Sequence, residues 1–342
     1  MTSPLPLTLL VGFLGSGKTT LLNQLLNSPL LDPLEGGRAV VIVNEFGDVG
    51  LDGALLDVSS EGLIELPGGC LCCTIQGDLL RTLRELLRKR SRLLLPLRFD
   101  RILIEASGLA SPGPILRTLL VEENLAAALA PPRVVALVAT GSLGEQLKQH
   151  PEVREQLAHA DTVVLSHWDR AAHDQRAHAR EIVARCAPGA QVVSATKGVL
   201  ADEEELVELL QPAPDLATLR ERVESHAHDH SGGCDGQHTQ GVSAVSLTSE
   251  APLDREVLDI WLHFLARRRD PRLLRIKGLV RVTDGACLEV QGVGEWYGSE
   301  RASSQDLVQS QLVLIGVGLD EQELRRGWAK AGGKLVPDPL QG

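Results

Sequence analysis

Near the start of the chain, Gly12-Phe13-Leu14-Gly15-Ser16-Gly17-Lys18-Thr19 satisfies the pattern G-x-x-x-x-G-K-S/T at every position. The chemistry served by this spacing is phosphate binding. Glycines let the backbone wrap until its N–H groups face phosphate oxygens, and the helix that follows adds positive potential at its first turn. Gly15, Ser16, Gly17, Lys18, Thr19 and Thr20 form the expected cradle, with Lys18 reaching the β and γ phosphates and Thr19 ligating Mg²⁺.

Such a loop needs an acid at the end of a neighbouring strand to hold or polarise the magnesium shell, and Arg101-Ile-Leu-Ile-Glu105 supplies one. Gly108, three residues on, can offer its backbone N–H to the γ-phosphate. A base-recognition element comes later: Val163-Val-Leu-Ser166-His167-Trp168-Asp169 ends in a carboxylate able to accept both donors of a guanine edge. Val193-Ser194-Ala195-Thr196-Lys197 reads as the loop that would contact the guanine oxygen, through Ser194 and Ala195. An ATPase without base selection is the alternative, and so is a plain loop carboxylate at Asp169.

A third cluster, Gly68-Gly69-Cys70-Leu71-Cys72-Cys73-Thr74-Ile75, gathers three of the six cysteines. A structural zinc site normally closes with four protein ligands, and no second cysteine pair or nearby histidine follows. Three thiolates leave one tetrahedral position open, as metal exchange requires. In an extended chain Cys70 and Cys72 point to one side and Cys73 to the other, so convergence needs a turn, which Gly68-Gly69 makes cheap. Soft thiolates suit Zn²⁺ and tolerate Co²⁺, and affinity alone does not define which ion binds. Small packing residues, or a redox pair at Cys70 and Cys73, are the competing readings.

These residues have to be positioned by the elements around them. Leu5–Val11 reads as a buried strand and Thr19–Leu26 as a helix, with further strands at Ala39–Val43, Arg101–Glu105, Val134–Ala139, Thr162–Leu165 and Gln191–Val193. Each strand is separated from the next by a helix-length segment, which predicts a mostly parallel sheet with helices on both faces. Gly77–Arg92 has leucines at helical spacing, so the thiol cluster is expected in a loop at that helix's entrance.

The first domain is expected over residues 1–212, and a histidine-rich linker over 213–241, whose His226, His228, His230, Cys234 and His238 either bind metal loosely or are simply solvated. The rest, 242–342, reads as a small α+β domain: strands at Val242–Thr248, Leu273–Val282, Ala286–Gly292 and Leu312–Val317, with helices at Leu253–Arg268 and Asp320–Lys330. Cys186 and Cys287 read as packing residues, and Trp261, Phe264 and Trp328 as core of the small domain.

Composition limits the partners. A formal charge of −11 over 342 residues argues against nucleic acid. No window of about 18 apolar residues is present, and the N-terminal Met1–Gly15 has no basic leader, so neither membrane nor secretion is expected. A cytoplasmic location follows, where clustered cysteines serve as ligands or catalysts more often than as disulfides.

Taken together, the motifs resemble the CobW-type P-loop GTPases, a metal-handling family related to the hydrogenase and urease nickel-insertion GTPases (CobW/HypB/UreG). The likeness covers nearly the whole chain: GFLGSGKTT at 12–20, VNEFGDVGLD at 43–52, GGCLCCT at 68–74, IEASGLASP at 104–112 and a Q-x-A-x-A-D element at 156–161. Arg275-Ile-Lys277-Gly278 and Ile315-Gly316 fit the family's C-terminal domain. Two departures stand out: Ser166-His167 replaces a common Asn-Lys, and Ala139-Thr140-Gly141 replaces Val-Asp-Ala.

The resemblance implies a P-loop NTPase sheet of the signal-recognition-particle type plus a CobW C-terminal domain. It also implies GTP hydrolysis to GDP coupled to binding or delivery of Zn²⁺, Co²⁺ or a similar ion. Catalytic candidates are Lys18, Glu45 and Glu105, with Glu45 in a nucleotide-sensing segment, Asn44-Glu45-Phe46-Gly47. Metal candidates are Cys70, Cys72 and Cys73 for the cargo and Thr19 for Mg²⁺. A zinc metallochaperone is the expected function. A cobalt inserter for a cobalamin or nitrile hydratase pathway and a metal-sensing switch are the alternatives. The C-terminal domain is expected to dock a client metalloprotein or a second subunit, the latter giving a homodimer.

Overall fold

The computed structural model describes residues 4–28, 31, 38–44, 63–66, 73–92, 97, 99–187, 189–200, 202–216, 218, 242–268, 272–302, 307 and 309–332. Two compact units are present, each with its own sheet.

The first unit is built on eight strands: β1 (Leu7–Gly12), β2 (Ala39–Asn44), β3 (Leu63–Leu66), β4 (Arg101–Glu105), β5 (Arg133–Ala139), β6 (Thr162–Ser166), β7 (Gln191–Thr196) and β8 (Val199–Leu200). Their order is β3-β2-β4-β1-β5-β6-β7-β8, and every pair is parallel except the short β7–β8 turn-back. β1 and β6 are buried along their whole length, which is why they read as continuous apolar runs: both faces of the sheet are covered.

The helices are α1 (Lys18–Leu26), α2 (Cys73–Arg90), α3 (Pro112–Val121), α4 (Glu123–Ala128), α5 (Leu143–Gln149), α6 (Pro151–His159), α7 (His173–Cys186) and α8 (Glu203–Leu209). Crossovers run in both directions from β1, so the right-handed rule places helices on both faces. Leu21, Leu22 and Leu25 of α1 share a core with Leu206 and Leu209 of α8, while α2, α3, α4, α5 and α6 pack among themselves.

The second unit is a five-stranded antiparallel sheet, β9 (Val242–Ser249), β10 (Arg272–Arg281), β11 (Cys287–Val293), β12 (Trp296–Arg301) and β13 (Ser310–Val317), in the order β12-β11-β10-β13-β9. Helices α9 (Arg255–Arg267) and α10 (Glu321–Lys330) cover one face. Trp328 of α10 is 0% exposed and donates its indole N–H to the Thr248 carbonyl at 3.1 Å, which satisfies the one polar group that its burial would otherwise strand.

Three points differ from the sequence reading. Helix α2 begins at Cys73, not Gly77, so the last thiol of the cluster belongs to the helix's first residue. Strands β3, β8 and β12 had not been anticipated; the first two are too short to carry a pattern, and β12 is a polar edge strand. Phe264 is 55% exposed and not core, because α9 buries Leu258, Leu262 and Leu265 and turns Val257, Ile260 and Phe264 outward. Cys186 and Cys287 are buried and form no disulfide among the described residues, as read. Among the described residues no helix is long and apolar enough to cross a membrane.

Candidate nucleotide site

Because β1, β4, β5, β6 and β7 are mutually parallel, their C-terminal ends share one edge of the sheet. β1 sits where the strand order reverses, the point at which open α/β sheets place their ligands. The register sets Leu10 beside Glu105 and Gly12 beside Leu137. The G-x-x-x-x-G-K-T loop, Glu105 and the segment after β6 are therefore delivered to one edge by backbone pairing alone.

Between β1 and α1 the chain turns through Gly15 (φ 72°) and Gly17 (φ 94°), left-handed conformations that a side chain would resist. Among the described residues neither has a non-neighbouring atom within 4 Å of where a Cβ would stand. Lys18 folds back inside the loop, its Nζ donating to the carbonyls of Gly12 at 2.9 Å and Phe13 at 3.4 Å. Ser16 is 1% exposed, and its N–H donates to the Phe13 carbonyl at 3.1 Å, closing a turn within the loop. Thr20 lies exposed on the first turn of α1.

Thr19 Oγ1 donates to Glu105 Oε1 at 3.0 Å. A hydroxyl and a carboxylate in contact at the mouth of a phosphate loop are hard oxygen donors of the kind Mg²⁺ takes, and the metal normally keeps its remaining positions for water and phosphate. The residues present therefore fit that ion. Beyond Glu105 the chain stays close to the loop. Ala106 N–H donates to the Leu10 carbonyl at 2.9 Å, and Ala110 N–H to that of Ser107 at 2.9 Å, closing a turn around Gly108. A Cβ on Gly108 would stand 2.5 Å from Leu14 Cδ2 and 2.8 Å from Leu14 N, so only glycine lets this turn lie on the phosphate loop.

The segment after β6 is fixed residue by residue. Ser166 donates its hydroxyl to the Val138 carbonyl at 3.1 Å, and Thr140 returns the contact with its N–H at 3.1 Å and Oγ1 at 2.6 Å to the Ser166 carbonyl. The two departures from the family pattern thus lace the ends of β5 and β6 together. His167 adopts a left-handed φ of 53° and brings Nε2 to 3.2 Å from the Gly15 carbonyl, a bond that requires the proton on that nitrogen. Trp168 lies against the guanidinium groups of Arg176 and Arg180, 5.1 and 5.0 Å from the ring centre. Asp169 Oδ1 accepts the Lys197 N–H at 3.1 Å. That bond is the main reason the Asp169 carboxyl is held below its ordinary pKa.

The structure therefore brings Gly15, Lys18, Thr19, Glu105 and Gly108 together on one side, and joins Asp169 to the loop that follows Ser194 and Ala195. Sequence reasoning missed two contacts that bind these parts to each other. One is the hydrogen bond of His167 to Gly15; the other is the ring of His150 against Phe13, with centroids 4.2 Å apart. A histidine at either position has no local signal, since each partner is more than a hundred residues away. Glu45, Cys70, Cys72 and the linker's histidines and cysteine lie outside the described residues, and of Cys73 only the backbone is described. Among the described residues no group of three His, Cys, Asp or Glu side chains could hold a metal ion.

With this geometry established, comparison with known proteins adds the family. The model for the CobW/HypB/UreG nucleotide-binding domain matches residues 6–194, and that for the cobalamin synthesis protein cobW C-terminal domain matches residues 242–332. The zinc chaperone YjiA of Escherichia coli is 32% identical over 96% of this chain and 98% of its own length. The zinc chaperone CobW of Pseudomonas aeruginosa is 33% identical over 93% and 88%. The zinc-regulated GTPase metalloprotein activator 1 of Schizosaccharomyces pombe is 28% identical over 92% and 82%. Among solved structures, the Zn(II)-bound YjiA GTPase superposes with a TM-score of 0.61 at 25% identity, covering 96% of this chain and 99% of that one. The chain belongs to the CobW/HypB/UreG family.

Proposed function

We propose that this chain is a GTPase that acts as a zinc metallochaperone, coupling the state of its nucleotide to binding and release of Zn²⁺. The observation that carries the reading is the 3.0 Å contact of Thr19 with Glu105 at the mouth of a complete phosphate loop, in a chain similar over 96% of its length to a zinc chaperone.

The loop's amides and the Lys18 ammonium bind the β and γ phosphates and balance the charge that builds as the terminal phosphoryl group passes to water. Mg²⁺, held by Thr19 with Glu105 ordering its shell, supplies further charge neutralisation when bound. Gly108 directs its N–H at the γ-phosphate, and Glu45 belongs to the segment that senses it. Asp169 accepts the guanine edge while Ser194 and Ala195 face the base oxygen. The cargo, Zn²⁺, is taken by the thiolates of Cys70, Cys72 and Cys73, three ligands that leave a fourth position for a recipient. The organisation that suits this cycle is a nucleotide domain over 1–212, a linker over 213–241 and a client-docking or dimerising domain over 242–342, working in the cytoplasm.

The test is to measure GTP and ATP hydrolysis with and without Zn²⁺ or Co²⁺, in wild type and in the Cys72→Ser/Cys73→Ser variant. GTP turnover should exceed ATP turnover about tenfold or more, and metal should change the GTP rate only when the thiols are present. Rates indifferent to both metal and thiols would remove the coupling. A response to Co²⁺ but not to Zn²⁺ would change the cargo.

A further inference from the structure

Gln156 is the first residue of the Q-x-A-x-A-D element. It lies on α6 and is 1% exposed, an unusual place for a primary amide. Its Nε2 donates to two carbonyls, that of Gly108 at 3.2 Å and that of Ala110 at 3.0 Å. Both protons of the amide nitrogen are thereby used on the turn that lies over the phosphate loop. The orientation is fixed by chemistry: reversing the amide would set its oxygen against two carbonyl oxygens.

Its other atom is equally informative. Gln156 Oε1 is buried with no hydrogen-bond partner among the described residues. A position chosen for packing would hold leucine or methionine and avoid stranding an acceptor. Retaining an amide with half its capacity unused indicates that the paired N–H donors are what the position requires. The same helix is tied to the same neighbourhood twice more. Ser111, at the end of the turn, donates to Glu155, and His150, immediately before α6, stacks on Phe13 of the phosphate loop. The turn is thus held between Leu14 on one side and Gln156 on the other.

We infer that Gln156 is a positioning residue: it sets the 108–110 turn so that the Gly108 amide meets the terminal phosphate, which makes the turn's fit specific for the triphosphate over the diphosphate. This rests on the proposed contact of Gly108 with the γ-phosphate. A side chain that merely packed α6 would support both nucleotides equally. One that places the turn supports only the nucleotide that reaches it.

The experiment measures affinity of the full chain for fluorescent GDP and for a fluorescent non-hydrolysable GTP analogue, with hydrolysis rates alongside, in wild type, Gln156→Met and Gly108→Ala. Gln156→Met should weaken analogue binding tenfold or more, leave GDP binding within twofold, and lower the rate at saturating GTP. Equal weakening of both nucleotides, or no change in either, overturns the positioning role. Gly108→Ala separates this from failure of the underlying contact. If it shifts the ratio while Gln156→Met does not, only the role of Gln156 falls; if neither shifts it, the γ-phosphate contact falls as well. Should Gln156→Met unfold, the ratio is read on Gln156→Asn, whose amide is one methylene too short to span both carbonyls.

Discussion

Thr19 and Glu105 are 86 positions apart in sequence, yet Oγ1 of one lies 3.0 Å from Oε1 of the other, and on the proposed function that contact turns a phosphate loop into a hydrolytic site. Replacing Lys18 by Ala removes the only charge the loop itself contributes, so steady-state hydrolysis should fall by about 10²–10³-fold, the usual loss when a preorganised electrostatic donor is taken from a transition state. Asp169→Asn keeps the shape but substitutes a donor for one acceptor, so it should erode the preference for GTP over ATP while leaving triphosphate-dependent chemistry intact. Steady-state phosphate release reads the first and competition between GTP and ATP the second. The acid behaviour of Asp169 follows from its bond to the Lys197 amide, which lowers the folded pKa. A lowered carboxylate pKa gives a contribution that is whole above the unfolded value of about 3.9 and lost only as pH falls through the lower folded one. GTP preference should therefore be flat from about pH 8 to about pH 5 as far as Asp169 governs it.

At the scale of elements, the sequence carried the strands well and their arrangement poorly. β1 and β6 are covered on both faces, so their apolar runs could be read without knowing their neighbours. The insertion of β4 between β2 and β1 depends on pairing between distant segments, which no local pattern reports. The site divides in the same way. Gly15 to Thr19 was legible because spacing alone specifies the loop, whereas the clasp of His167 on Gly15, 152 positions apart, was not. Helix α9 was misread at Phe264 because both of its faces carry apolar residues, and only packing decides that Leu258, Leu262 and Leu265 go inward. Trp328 is the opposite case, an aromatic residue whose burial was correctly anticipated. Truncating it to Ala should cost about 3–5 kcal/mol, measurable as a drop in urea midpoint for the full chain. Thr140→Val tests the lacing of β5 to β6. It removes the 2.6 Å bond to the Ser166 carbonyl and should cost about 1 kcal/mol or more, with nucleotide affinity falling because the base loop starts there.

For the whole molecule, an acidic chain of net charge −11 carries a nucleotide site built from parallel strand ends and, in sequence, a thiol cluster that runs directly into α2. On the proposed function these two are energetically linked. Linkage is reciprocal: if GTP changes zinc affinity by some factor, zinc changes GTP affinity by the same factor. The most direct measurement is zinc affinity by chelator competition in saturating GDP and in a saturating non-hydrolysable GTP analogue, for wild type and for Cys72→Ser/Cys73→Ser. The wild-type affinities should differ by tenfold or more, equivalent to about 1.4 kcal/mol, and the variant should lose both the tight site and the difference. Equal zinc affinity in the two nucleotide states, or tight nucleotide-sensitive binding that survives loss of both thiols, would contradict it.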